Sequence, residues 1–224
     1  RQRQMCIETG VTSIGLGAFY NCSSLTSIEI PDSVTSIGAD AFYNCDGVRE
    51  VESGVTYVDR WVVDCDRYAT NVSLRSDTVG IADEAFAYCD SLTSIVIPDS
   101  VTSFGGYAFY DCDSLTSVTI GDGVTSIGDR AFYGCYGLTS VTIGDGVTSI
   151  GEEAFYDCKS LTSVTIPDSV TSIGRYAFFT CDSLTSVTIG KGVTSIREKA
   201  FNNCDSLTSI IIPDSVTLIG FNAF

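Results

Sequence analysis

A 23-residue repeat constrains the fold of this chain more than any other feature. The cysteines mark it, because most of them follow one another at intervals of 23 residues. These cysteines are Cys89, Cys112, Cys135, Cys158, Cys181 and Cys204, and Cys22 and Cys45 keep the same interval. A strict period of this length is typical of proteins in which short units stack on one another.

The first half of each unit predicts a strand followed by a turn. One complete unit covers residues 115–137 and has the pattern L-x-x-V-x-I-x-x-x-V-x-x-I-x-x-x-A-F-x-x-C. Val118 and Ile120 alternate with hydroxyl residues, as in a strand with one buried and one exposed face. The Gly-Asp-Gly or Pro-Asp-Ser sequence that follows has the composition of a turn, so the strand ends there.

The second half of each unit predicts a helical turn. Ala131, Phe132 and Cys135 have the spacing of one helical turn that faces a core. A lone unit cannot bury its apolar side chains, so neighbouring units must stack with like residues over like. We therefore expect residues 1–224 to form a single α/β repeat solenoid of about nine to ten coils. Short parallel strands would lie on one face and short helical turns on the other.

The unit also carries a family resemblance. The L-x-x-V-x-I spacing resembles the leucine-rich repeat, and the A-F-x-x-C element is similar to its BspA-like (Treponema pallidum-type) subclass. Units are regular from Leu92 to Phe224, recognisable from Val11 to Cys45, and altered between Val48 and Arg67. Such proteins are commonly found on the surfaces of gut and oral bacteria and of some parasitic protists. The resemblance implies an extracellular or cell-surface location and a non-catalytic role in adhesion or in protein or glycan recognition.

A variant coil is expected at residues 48–68, where the cysteine interval shortens to 20 residues and then lengthens to 24. Two β-rich runs, Gly54–Val58 and Trp61–Val63, flank the dipeptide Asp59-Arg60 and predict a hairpin. Trp61, the only tryptophan, allows two interpretations. It contacts a ligand from a non-repeating loop, or it packs on the adjacent coil, which is the commoner role of an apolar aromatic residue.

Charge and composition exclude several classes of function. The chain has 12 basic and 28 acidic residues, and its net charge of −16 repels phosphate backbones, which disfavours nucleic-acid binding. No apolar run is long enough to span a bilayer. The absence of histidine removes the Ser-His-Asp and Cys-His arrangements. Serine and aspartate recur in every coil as turn and strand residues, so we predict neither an enzyme nor a cofactor.

The repeated cysteines and aspartates raise the question of cross-links and metals. Stacked coils would bring equivalent cysteines within disulfide range, but an inward position favours reduced, buried thiols, and C-x-x-C zinc spacing is missing. A row of aspartates at equivalent turns would attract calcium, yet aspartate is a preferred turn residue and Lys191 interrupts the row. We therefore predict no metal site. The row contains Asp99, Asp122, Asp145, Asp168 and Asp214.

Two columns of outward hydroxyl residues on the strand face are the predicted binding surface. They comprise Ser117, Thr119, Ser140, Thr142, Ser163, Thr165, Ser186 and Thr188, to which the ligand-contacting interpretation adds Trp61. An unidentified protein or glycan is the favoured partner. An ice lattice is a minor alternative, because threonine is in any case a good exposed strand residue. A separate column of tyrosines follows the inward phenylalanines and comprises Tyr110, Tyr133 and Tyr156. We expect these rings to stack half-buried between coils, in preference to forming a platform for a sugar.

The ends of the chain and the uniformity of its coils support a structural alternative, a spacer or filament segment of a larger surface protein. The first residue is not a methionine and the last three residues stop within a repeat, so we expect the protein to continue at both ends. Cys6 lies off the cysteine series, which allows pairing between chains and hence self-association.

Overall fold

The computed structural model describes residues 3–224, apart from the side chains of residues 3–6. The Cys6 side chain, for which pairing between chains is the expectation, therefore lies outside the described part. The chain forms a leucine-rich repeat β-solenoid of about nine turns, with coils of about 23 residues. Parallel strands of successive coils pair along two faces of the solenoid.

The main sheet has five parallel strands in which like residues of successive coils lie side by side. Ser117 pairs with Ser94 on one side and with Ser140 on the other. Val118 and Ile120 are buried while Thr119 between them is exposed, as the period of two requires. The strands are Ser94–Ile97, Ser117–Ile120, Ser140–Thr142, Ser163–Ile166 and Ser186–Ile189.

A second sheet lies after the turn of each coil and is built from two-residue strands. They are Ser126–Ile127, Ser149–Ile150, Ser172–Ile173, Ser195–Ile196 and Leu218–Ile219. Nearer the amino terminus, Arg3–Cys6 pairs with Leu25–Glu29 and Ser13–Ile14 pairs with Ser36–Ile37, both parallel. These pairs keep the arrangement of the two larger sheets.

The predicted helical turn is wrong, since the structure has no helix among residues 3–224. Ala131 N–H bonds to Gly128 O within its own coil, but Phe132 N–H donates to Ala154 O of the next coil at 2.8 Å. Arg130 adopts a φ of 55°, in the left-handed region. Alternate amides are thus committed to the neighbouring coil, and a helix, which needs every amide for its own i−4 carbonyl, cannot form.

Stacked phenylalanines fill the core beneath these turns. Phe132 lies between Phe109 and Phe155 with ring centroids 5.2 and 5.1 Å away and the planes nearly parallel. The stack runs from Phe86 to Phe224, and a shorter one joins Phe19 to Phe42. Stacked rings are favourable beyond the area they bury, so this column ties each regular coil to its neighbours.

The variant coil folds as a three-stranded antiparallel meander. Val55–Val58 pairs with Trp61–Cys65 through the two-residue connection of Asp59 and Arg60, which is the hairpin expected from the sequence. Glu50–Glu52 adds a third strand that sequence reasoning missed. The sheet continues in parallel through Gly80–Ile81 to Ser103–Phe104. The meander thereby joins the first coils to the regular stack.

Candidate functional site

The predicted hydroxyl residues lie together on the outer face of the main sheet. Ser117 is half-buried and the other seven are exposed. Ser140 pairs with Ser163, and Thr165 pairs with Thr188. Neighbouring parallel strands are about 4.8 Å apart, so the side chains form a regular array. Its function as a binding surface stays a prediction.

A third hydroxyl column, which sequence reasoning missed, borders the other two. Thr116 Oγ1 donates to Thr93 O at 2.9 Å, and Thr139 Oγ1 donates to Thr116 O at 2.9 Å. Thr185 Oγ1 repeats the bond to Thr162 O at 3.0 Å. Each hydroxyl therefore bonds to the backbone of the preceding coil and has its orientation restricted. The sequence signal for this column was the threonine at the second position of every regular unit.

The outer face of the main sheet is uncharged although the chain carries a net charge of −16. Each exposed position on the five strands of this sheet is serine, threonine or valine, and Ile211 continues the same column in the last coil, beyond the strands. The two aliphatic positions, Val96 and Ile211, are 63% and 86% exposed and lie at opposite ends of the threonine column. We call this surface the hydroxyl face. It offers hydrogen bonds and methyl groups without charge repulsion.

Trp61 does not belong to this surface, because it is only 2% exposed. A Cβ added to Gly80 would lie 2.4 Å from Cζ3 of the Trp61 indole, so the ring lies against the Gly80 backbone. Regular coils have serine at the position of Gly80, as in Ser103 and Ser126. The structure thus has Trp61 packed on the adjacent coil, and glycine gives the ring its space.

The cysteine series forms a ladder of thiols in the core. Cys135 Sγ contacts Phe109 O at 3.1 Å and Cys158 Sγ contacts Phe132 O at 3.2 Å. The nine cysteines whose side chains are described are free, and all of them except Cys22 are buried. Burial raises the pKa of the Cys135 thiol and that of Cys158. Protonated thiols can donate to these carbonyl oxygens, which explains the inward cysteine of each coil.

The aspartate row has a structural role at the turns. Asp122 N–H donates to Asp99 Oδ1 at 2.9 Å, and Asp145 N–H donates to Asp122 Oδ1 at 2.9 Å. Lys191 N–H donates in the same way to Asp168 Oδ1 at 2.7 Å. A carboxylate oxygen of one turn therefore accepts the amide of the next. These bonds explain why aspartate recurs there, and also why lysine, which uses only its backbone amide, is accepted in the row.

The tyrosine column is a half-buried stack. Tyr133 lies between Tyr110 and Tyr156, with ring centroids 5.2 and 4.7 Å apart, and Tyr156 also stacks on Phe179. Burial raises the pKa of Tyr133 to about 12. Parallel, half-buried rings are expected for packing between coils.

The described residues contain neither a group of side chains suited to a metal ion nor a helix suited to span a membrane. No group of three or more cysteine, aspartate or glutamate side chains is arranged to hold a metal ion within residues 7–224, whose side chains are described. Over the same described range, no helix has the length and apolar character needed to cross a membrane.

The family comparison accords with this architecture. A model described as the BspA type leucine rich repeat region matches residues 2–115 and 104–224. The chain belongs to the BspA-type leucine-rich repeat family. None of the curated proteins matches it.

Several solved bacterial structures are similar to this BspA-type chain. A leucine rich cell surface protein from Faecalibacterium prausnitzii is 38% identical over 79% of this chain and 51% of its own length, with a TM-score of 0.65. A leucine-rich repeat protein from Eubacterium ventriosum is 28% identical over 99% of this chain and 63% of its own, with a TM-score of 0.77. The T. pallidum leucine rich repeat protein is 31% identical over 71% of this chain and 77% of its own, with a TM-score of 0.68. The chain thus spans about half of the first relative and less than two thirds of the second.

Proposed function

We propose that this BspA-type solenoid is a non-catalytic recognition module of a surface-exposed protein, and that it contacts a protein or glycan partner through the hydroxyl face. The observation that carries the proposal is an uncharged, regular hydroxyl surface on a strongly acidic chain. Selection for solubility alone would favour charged residues at exposed strand positions. The cell-surface description of the F. prausnitzii relative supports the location.

Binding assays on host matrix proteins and on glycans test this proposal. The Thr142→Lys/Thr165→Lys double variant places two charges in the centre of the face, at positions that are exposed and whose side chains are not needed by the core. We expect selective binding by the wild type and a loss of at least about tenfold in affinity in the variant.

A matched control carries the same charges on the second sheet, as Thr148→Lys/Thr171→Lys. Both control positions are exposed and recur at the same interval of 23 residues. Equal losses in the two double variants would contradict the hydroxyl face as the contact surface. Absence of binding by the folded wild type would instead favour the spacer or filament segment, for which the uniform coils remain the supporting observation. An ice-binding array, the minor alternative, would show itself as thermal hysteresis that the first double variant loses.

A further inference from the structure

A groove crosses the solenoid where the meander meets the second-sheet side. Its wider part has a volume of about 560 Å³ and lies between Thr35 and Ser36 on one side and Thr102, Ser103, Thr125 and Ser126 on the other. A narrower part of about 240 Å³ reaches Trp61 and Ser100. Thr102 lines both parts. We call the two together the hairpin groove; its wider part is within the size range of small-molecule sites.

The meander and the glycine at position 80 explain why the groove is there. Regular coils carry a serine in this column from Ser103 to Ser195, but here Trp61 is folded inward against Gly80, which has no side chain to project. Phe104 stands in the floor where the adjacent regular coils have Ile81 and Ile127. The groove is therefore a consequence of the irregular coil, and the uniform part of the stack lacks the features that form it.

The walls of the wider part are hydroxyl-rich and nearly neutral. Of the described residues that line it, only Asp83 is charged, and its Oδ1 already accepts Gly106 N–H at 2.8 Å. Thr35 and Thr125 each donate their hydroxyl hydrogen to a backbone carbonyl of a neighbouring coil, so their lone pairs remain for an acceptor role. The intervening serines add hydroxyls that both donate and accept.

One buried polar atom marks the narrow end of the groove. Ser100 lines it, and its buried Oγ has no hydrogen-bond partner among the described residues. The equivalent Ser33 and Ser169 donate to Val11 O and Val147 O at 2.8 and 2.7 Å, whereas Ser215 in the last coil is also without a partner. Arg60 also lines the narrow part and is paired with Asp32 at 2.6 Å, which leaves further guanidinium donors for a neutral ligand.

From these features we infer that the hairpin groove is a binding site for an uncharged carbohydrate. Hydroxyls on both walls match the donors and acceptors of a sugar, and Ile81 and Phe104, which are only 1% and 6% exposed, close the floor with apolar side chains. The chain's net charge of −16 disfavours anionic ligands. The site is separate from the hydroxyl face and goes beyond the function proposed for that face.

Titration with neutral oligosaccharides tests the site on the full chain, with cellohexaose, laminarihexaose and mannohexaose as probes. Trp61 is the only tryptophan and lines the groove, so its fluorescence reports occupancy alongside calorimetry. We expect saturable binding of at least one probe, with an affinity that changes less than about twofold between low and high salt because no charge pair forms.

Two matched variants separate the groove from the general surface. Thr102→Phe fills the groove, while Thr171→Phe makes the same change at an equivalent exposed position three repeats later. We expect the first to weaken binding at least about tenfold and the second to leave it within about twofold. The inference would be overturned by equal losses of affinity in the two variants, by a strong dependence of the affinity on salt, or by the absence of binding of any probe to the folded wild type. The Thr142→Lys/Thr165→Lys variant should bind the oligosaccharide probes as the wild type does. A wrong proposal for the hydroxyl face and a wrong proposal for the hairpin groove therefore give different results.

Discussion

The regular coils from Leu92 to Cys204 and the irregular segment from Val48 to Gly80 solve the same packing problem in different ways. In the regular coils each inward residue lies on its own copy 23 residues away, and phenylalanine, cysteine and aspartate ladders form by repetition. In the irregular segment an antiparallel meander and one tryptophan fill the equivalent space. Repetition gives stability that is shared among many equal contacts, whereas the irregular segment depends on a few complementary pairs.

The largest expected effect comes at alkaline pH, through two buried thiols of the regular coils. Burial raises the pKa of the Cys135 and Cys158 thiols in the folded state, so the same thiols in the unfolded chain lose their protons first, near their ordinary pKa of about 8.5. The stabilising contribution is therefore complete below that pH and is lost as pH rises. We expect the free energy of unfolding to fall by up to about 1.4 kcal/mol per pH unit for each of these two thiols. Urea unfolding from pH 7.5 to 10 measures this fall in the free energy of unfolding. The Cys135→Ala/Cys158→Ala variant should show a shallower decrease of that free energy with pH. A slope unchanged by the double substitution would contradict this origin.

Truncation of a stacked phenylalanine should cost more inside the regular stack than beside the meander. Phe132 has a parallel ring on each side, while Phe42 stacks only on Phe19. We expect Phe132→Ala to lower the free energy of unfolding by about 3–5 kcal/mol and Phe42→Ala to lower it less. Chemical denaturation followed by circular dichroism compares the two. Equal losses would show that the second stacked ring adds nothing.

Gly80→Ser tests the complementary pair of the irregular segment. Serine is the residue of the regular coils at this position, yet here its Cβ would overlap the Trp61 ring. We expect a destabilisation of about 1–3 kcal/mol, measured as a shift in the urea midpoint. In a Trp61→Ala background the same substitution should cost less than about 0.5 kcal/mol, because the overlap is gone. Additive effects of the two substitutions would rule out direct packing as the reason for the glycine.

The smallest expected effect is a gain in stability from making the irregular segment more regular. Thr78 is fully buried, its Oγ1 has no partner among the described residues, and the regular coils have valine there, as in Val101 and Val124. Thr78→Val should raise the free energy of unfolding by about 1 kcal/mol, since it removes a buried hydroxyl at nearly constant volume. The opposite swap, Val101→Thr, should lower it by a similar amount. A loss of stability in Thr78→Val would mean that the hydroxyl has a partner in the folded protein.

Periodicity alone was sufficient to predict the solenoid, the inward and outward residues of the main sheet, and the position of the irregular coil. Val118, Ile120 and Thr119 alternate as their spacing requires, because a parallel stack with a 23-residue register leaves no other arrangement of like over like. The hairpin at Asp59-Arg60 was also evident, because two β-rich runs around a short polar connection are a local signal.

Only the tertiary structure decided the form of the turns, the burial of Trp61 and the hairpin groove. The spacing of Ala131, Phe132 and Cys135 fits a helical turn, but the amide of Phe132 bonds to the next coil, and no local pattern reports such a bond. The sequence by itself determined which residues repeat and therefore which residues stack. What those stacked residues bond to, and where the stack leaves a space, depends on contacts between coils whose geometry exists only after they have assembled.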